Sequence, residues 1–281
     1  MSALTTAKPS VEEAPTPVRR RRRAGMHWLL PTWGWLVILW LCSPIIVMIV
    51  FGFNDTKSKF NIRWQGFTLR WYRQLFAISD LTNALQNSIT IALITTLIAT
   101  VLGTLLGMSL GKYRFRGSGS INLVLFANIA ASEIVLGASL LSLFVTLGVP
   151  RGYWTIVIAH VMFSVAYVAI TVRARVVGLD RSLEDAARDL GANAWATFWK
   201  VTLPLIVSGV MAGALLAFAL SIDDFIITNF NSGNTVTFPL WVWGASRVGV
   251  PPQVNVMGTL IFMFGVLLAV IGATANRRKR V

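Results

Sequence analysis

Residues Ser182 to Pro204 read SLEDAARDLGANAWATFWKVTLP, a charged segment with helical patterning set between two long apolar runs. Leu183, Ala186, Ala187 and Leu190 recur at i, i+3, i+4 and i+7, which draws one apolar face on a short helix, while Glu184, Arg188 and Asp189 cover the rest. Ser182 stands where an N-cap belongs, with Asp185 three residues on in the spacing of a capping box, and Gly191 stands where a helix ends. A second helical turn follows, with Trp195, Phe198 and Trp199 on one side. Leu203-Pro204 then opens the next apolar run at a position where proline's missing N–H costs nothing. The stretch reads as helix, glycine corner, helix and membrane entry, a docking surface presented to something outside the membrane.

The rest of the chain supplies that membrane. Apolar residues make up 55% of the sequence and charged ones 13%, and the apolar residues come in long blocks. This is an all-α integral membrane protein. The single cysteine, Cys42, excludes an intrachain disulfide and a thiolate cluster, and two histidines are too few for a histidine metal site. The net charge of +14 would suit nucleic acid, but the basic residues gather at the termini and beside the ends of apolar runs, so membrane topology explains them and no nucleic-acid partner is expected.

Six spans are expected, at Trp28–Phe53, Ala84–Gly111, Ile121–Leu147, Trp154–Val172, Leu205–Phe230 and Val256–Ala275, each near or above the ~20 residues a crossing helix needs. Residues 1–27 form a basic tail expected to be disordered, residues 28–275 the transmembrane domain, and residues 276–281 a second basic tail. The first run is too long for a cleaved signal sequence. With both termini in the cytoplasm, most of the 25 basic residues, including Arg19–Arg23 and Arg277–Arg280, fall inside. Lys57, Lys59, Arg63, Arg70 and Arg73 resist the rule from the outer side. Gly103, Gly107 and Gly111, and again Gly209, Gly213 and Ala217, repeat every fourth residue and predict close helix packing. The run Gly107 to Tyr113 lacks the spacing and the Ser or Thr of a phosphate loop, so no nucleotide site is expected in this chain.

Ionisable residues within spans point to function. Glu133 lies about 12 residues, roughly 18 Å, into the third span. It is either hydrogen-bonded to a neighbouring helix or a cation site on a pathway. Asp223 and Asp224 lie roughly 27 to 29 Å along the fifth. Asp224 shares a small, polar face with Gly213, Ala217, Ser221 and Thr228 and is the expected pathway residue. Asp223 aligns with Leu216, Leu220 and Ile227, and serves either the pathway or an ion pair with a partner. His160 either assists or donates to a neighbouring helix. Tyr153, Trp154, Trp241 and Trp243 suit an aromatic belt, or cation–π contact with an amine.

The pattern Asp185, Ala186, Ala187, Gly191, Val201, Leu203 and Pro204 resembles the signature E-A-A-x3-G-x9-I-x-L-P of binding-protein-dependent ABC importer permeases, with Asp for Glu and Val for Ile. The resemblance implies a type I ABC importer permease fold in which this loop is a cytoplasmic coupling helix seated in an ATPase subunit. Glu184, Asp185, Ala186, Ala187 and Gly191 are then the ATPase-coupling residues, and ATP and magnesium are bound by the partner ATPase dimer. Ala131–Val135, Ser221–Phe225, Phe238-Pro239-Leu240 and Val248–Asn255 resemble the spermidine/putrescine permeases, C-type subunit, within a similarity that spans roughly residues 28 to 275. That implies a bacterial inner-membrane polyamine importer with a homologous second permease and an extracytoplasmic polyamine-binding protein. Related importers carry iron(III), sulfate, phosphonates or thiamine, and the fold does not choose among them. An intramembrane serine protease needs a histidine base that His27 and His160 hardly provide, and a channel has no use for an ATPase-docking loop.

Overall fold

The structure is a computed structural model and describes residues 29–58, 60–180 and 182–278. The expected N-terminal tail, His27, Lys59, Arg181 and the last basic residues from Lys279 lie outside the described residues. In chain order the helices are α1 (Leu29–Phe51), α2 (Arg70–Arg73), α3 (Ser79–Lys112), α4 (Ser118–Ala130), α5 (Glu133–Thr146), α6 (Tyr153–Val177) and α7 (Ser182–Asp189). They continue with α8 (Ala194–Thr197), a π turn (Phe198–Thr202), α9 (Leu203–Asp223), α10 (Ile226–Asn231), α11 (Phe238–Val248) and α12 (Pro252–Arg278).

Among the described residues five helical stretches are long and apolar enough to cross a membrane, and six if α4 and α5, bent by 110° where they meet, count as one span. Two of the six expected spans are not straight. Ala131 and Ser132 are both extended (ψ 138° and 141°), which stops α4 and restarts the chain as α5. The fifth span ends at Asp223, because Asp224 is extended (ψ 122°), and α10 follows as a separate turn and a half. Uninterrupted apolar composition hides both breaks from a hydropathy reading.

The chain divides into two units at Ile46/Val47. In the first, the α1 residues Trp33, Trp35, Leu39 and Trp40 are all exposed, as expected of a helix that is apolar all round. In the second, α6 is the central helix, packed by α3, α9, α10 and α4. Close approach to it explains the glycine repeats. A Cβ on Gly103 would stand 2.6 Å from Val168 Cβ, one on Gly107 2.5 Å from the Ala169 carbonyl oxygen, and one on Gly213 3.1 Å from Val168 Cγ1. The small residues of α3 and α9 thus grip one ridge of α6, and Ala99, Val168, Val172, Ile206 and Ala217 form the core between them.

At the end of the bundle away from α7, α11 packs Phe238, Trp241 and Val242 against Leu81 and Met257. Ser88 Oγ accepts the Phe238 N–H there (2.8 Å). The segment after α1 folds on Asn54, fully buried, whose amide donates to Asn61 Oδ1 and the Arg63 carbonyl and accepts from Gln65 N–H. Of the basic residues that resist the positive-inside pattern, Arg70 pairs with Asp55 (3.0 Å) and stacks over Trp71 (4.3 Å).

Candidate functional site

The stretch Ser182–Pro204 folds as helix, glycine corner and helix. Gly191 has φ 86°, its N–H reaches the Arg188 carbonyl (2.8 Å) and the Ala192 N–H reaches that of Ala187 (3.0 Å). This pair of bonds is a Schellman motif with glycine in the left-handed position. A Cβ there would meet nothing within 4 Å, so the requirement for glycine is one of backbone and not of space. The start of α7 differs from the expected capping box. Ser182 is itself the first helical residue, and its backbone N–H and hydroxyl turn back to the Asp180 carboxylate, held below the usual range by those two bonds. At the second helix Asn193 is the N-cap, its Oδ1 accepting the Ala196 N–H at 2.8 Å.

The apolar face of α7 is turned outward. Leu183 is 47% and Leu190 90% exposed, and Trp195 and Trp199 beyond the corner are 71% and 50% exposed, in ring contact at 5.6 Å. The buried residue of α7 is a charged one. Glu184 is 9% exposed, its Oε1 accepts from Thr202 Oγ1 (2.7 Å), and its Oε2 pairs with Lys112 Nζ at the end of α3. Burial alone would raise this carboxyl, but the bonds from Lys112 and Thr202, with the charges of Lys112 and Arg188, outweigh it and hold it below the usual glutamate range. Asp185 points outward, 3.9 Å from Arg188. The five loop residues named from sequence therefore divide. Asp185, Ala186 and Ala187 belong to the outer surface, Gly191 shapes the corner, and Glu184 faces inward.

Pro204 lies in the first turn of α9, as expected, but α8, the π turn and α9 follow one another without a break, so that Ala194–Asp223 is one helical run. The intervening Phe198–Thr202 turn is π, with the Leu203 N–H reaching back to the Phe198 carbonyl. Widening the turn in this way accommodates a proline ring that would otherwise collide with the carbonyl four residues before it.

Glu133 is the first residue of α5, at the 110° break, and not a mid-helix residue of a straight span. Placed there its carboxylate meets the positive end of the α5 dipole. It borders a cleft of about 340 Å³ walled by Ala131, Ser132, Phe163, Tyr167 and Ile226. α5 packs on α10 with Gly137 against Phe230, and Asn231 Nδ2 donates to the Gly137 carbonyl (3.3 Å). One assembly thus joins the two broken spans.

Of the adjacent aspartates, sequence assigns the pathway to Asp224, whereas the structure buries Asp224 (9% exposed) and exposes Asp223. The face shared by Asp224, Ser221, Ala217 and Gly213 is small because α6 packs against it. Asp224 Oδ2 accepts from the Thr228 N–H and hydroxyl, both at 2.7 Å, so it caps α10. His160 of α6, 2% exposed, completes the cluster, with Nε2 3.2 Å from Asp224 Oδ2 and 2.9 Å from Thr228 Oγ1, and Nδ1 2.7 Å from Ser221 Oγ. The neutral tautomer that satisfies all partners carries its proton on Nε2 and accepts the Ser221 hydroxyl at Nδ1. Sequence offered a signal for this break, since an aspartate pair in an apolar run is a natural helix cap, but read the pair along a continuous helix. Among the described residues no group of three or more His, Cys, Asp or Glu side chains is placed to hold a metal ion.

A multi-span helical membrane protein with two broken spans and an exposed loop of this signature defines an ABC importer permease. The chain belongs to the family of binding-protein-dependent transport system inner membrane components, which it matches over residues 28–280. It is 36% identical over 244 residues to the spermidine/putrescine transport system permease protein PotC of Escherichia coli strain K12, covering 86% of this chain and 92% of that one. It is 39% identical over 229 residues to the putrescine transport system permease protein PotI of the same strain, covering 79% and 81%. Its fold is that of a chain of a bacterial ABC transporter involved in import of the acidic polysaccharide alginate, with TM-score 0.65 at 18% identity over 94% of this chain and 99% of that one. A chain of the bacterial alginate transporter in complex with an alginate pentasaccharide-bound periplasmic protein gives TM-score 0.63 at 13% identity, over 89% and 94%. The chain is a multi-pass inner-membrane protein and a transport subunit.

Proposed function

We propose that this permease serves an ATP-driven polyamine importer, pairing with a homologous second permease and receiving spermidine or putrescine from an extracytoplasmic binding protein. Both termini lie in the cytoplasm. There the outward face of Leu183, Asp185, Ala186 and Ala187, with Trp195 and Trp199, seats in an ATPase subunit, and that subunit binds the ATP and magnesium. Closure of the ATPase dimer moves the loops and switches the pathway between two packed states.

The observation that carries the substrate class is the placement of Glu133 at one break inside the spans and of Asp223 and Asp224 at the other, with α5 packed on α10 between them. Carboxylates so placed repel one another and are costly in a membrane unless a cation joins them, and a polyamine supplies several charges along one chain. Glu133 and Asp223 meet the substrate, and Asp224 adds its charge from behind while holding the α9–α10 break. The identities of 36% and 39% to named polyamine permeases support the same reading. The test is uptake of labelled spermidine in cells with and without this chain, competed by unlabelled putrescine and by ferric iron. Loss of uptake on deletion, with competition by putrescine alone, is the expected result. Unchanged uptake, or competition by iron, overturns the substrate class while leaving the permease family in place.

A further inference from the structure

We propose that Lys112, Glu184 and Thr202 are positioning residues for energy coupling, a tie that makes α7 move as one piece with α3 and α9. The proposal rests on the permease reading above and adds how a pull on the loop enters the spans. An isolated eight-residue helix has little stability of its own, and α7 is bounded on its far side by the open glycine corner at Gly191. Its orientation must therefore come from tertiary contacts. Its apolar side chains do not provide them, since Leu183 and Leu190 face outward. The inward anchor is Glu184, bonded at one oxygen to Thr202 and at the other to Lys112.

Each partner ends a different span. Lys112 is the last residue of α3, whose glycines lock it onto α6. Thr202 closes the π turn that joins the loop to α9. The ion-paired side chains of Lys112 and Glu184 are 19% and 12% exposed, so water screens them little, and separating them would strand a buried charge. Arg114, Arg173 and Asp180 border the same cleft, of about 590 Å³, and Arg173 is already held by Asn122 Oδ1. α7 thus presents one side for gripping and uses the other to transmit the pull to two long helices.

The complete transporter, reconstituted in proteoliposomes, tests this with labelled spermidine uptake and ATP hydrolysis measured on the same vesicles. Glu184→Gln and Lys112→Met are expected to lower substrate moved per ATP by about tenfold while hydrolysis stays within about twofold, and the swap Lys112→Glu with Glu184→Lys to recover most of the ratio. A second measurement needs no substrate. Basal hydrolysis without binding protein should rise about threefold or more in the single variants and return in the swap. A fall of uptake and hydrolysis in equal proportion, or a swap no better than the single variants, overturns the tie. If the wild-type complex hydrolyses ATP but moves no spermidine, the polyamine reading fails instead, and an unaltered basal rate in the single variants then overturns the tie independently.

Discussion

Replacing Asp224 by alanine should destabilise the protein far more than replacing its neighbour Asp223. Asp224 Oδ2 takes the Thr228 N–H and hydroxyl at 2.7 Å each and lies 3.2 Å from His160 Nε2. Loss of the helix cap costs about 1 kcal/mol. The buried Thr228 hydroxyl loses its acceptor and the buried His160 N–H keeps only Thr228 Oγ1, and each bond lost adds roughly 0.6 to 1.5 kcal/mol, the lower figure being typical between helices in a membrane. The sum is about 3 kcal/mol, or a drop of roughly 6 to 12 °C in melting temperature for a chain of this size. Asp223 is exposed, and its removal should change stability by no more than about 0.5 kcal/mol. Thermal unfolding of the detergent-solubilised protein, followed by intrinsic tryptophan fluorescence, separates the two. Asp224→Asn should fall between them, because an amide oxygen still accepts the Thr228 N–H. A double-mutant cycle with His160→Ala should show coupling of about 1 kcal/mol with Asp224→Ala. Equal losses for Asp223→Ala and Asp224→Ala, or an unshifted Asp224→Ala, would refute the assignment of Asp224 to the packed interior and reopen it as a pathway residue.

Uptake should report the complementary pattern. Glu133→Gln and Asp223→Asn are each expected to raise the KM for spermidine about tenfold with near-normal melting, and unchanged KM in both would remove them from the pathway. Gly191→Pro should abolish transport while leaving membrane insertion intact, since a φ of 86° is closed to proline, and normal uptake would defeat the role of the corner. Gly107→Leu should prevent close packing of α3 on α6 and cost at least about 1 to 3 kcal/mol, read as loss of folded protein after solubilisation. The carboxyl of Glu184 is held below its ordinary value of 4.5, so its contribution is complete above that pH and lost as pH falls through the lowered value. The melting difference between wild type and Glu184→Gln should therefore be full at neutral pH and shrink as the pH is taken below that value. A difference that grew on acidification would contradict the ion pair.

What sequence revealed and what it concealed have physical causes that can be named residue by residue. The spans were legible because lipid demands long apolar runs, and the glycine repeats because close helix packing demands small residues. Gly191 was legible because a left-handed corner is cheap only for glycine. The direction in which a helix faces was not. Periodicity gave Leu183, Ala186, Ala187 and Leu190 one apolar side and the loop reads as a docking surface, but nothing in the pattern turns Glu184 inward. Here Leu190 is 90% exposed and Glu184 is enclosed, because the contact that holds α7 to the rest of the chain is an ion pair and not an apolar face. The same inversion occurs within the spans. Asp224 follows a small, polar face that resembles a pore lining, yet that face is small so that α6 can approach, and the carboxylate is consumed by Thr228 and His160. Two of the acidic residues picked out by sequence are thus bonded inward, and their neighbours Asp185 and Asp223 stand at the surface. A single residue's offset decides between holding a helix in place and standing at the surface, and one step around a helix, about 100°, is finer than composition resolves. At Asp223-Asp224 the pair serves both needs at once. The first carboxylate can remain exposed in a membrane span because the second, by capping α10, fixes the break that keeps α9 from continuing past it.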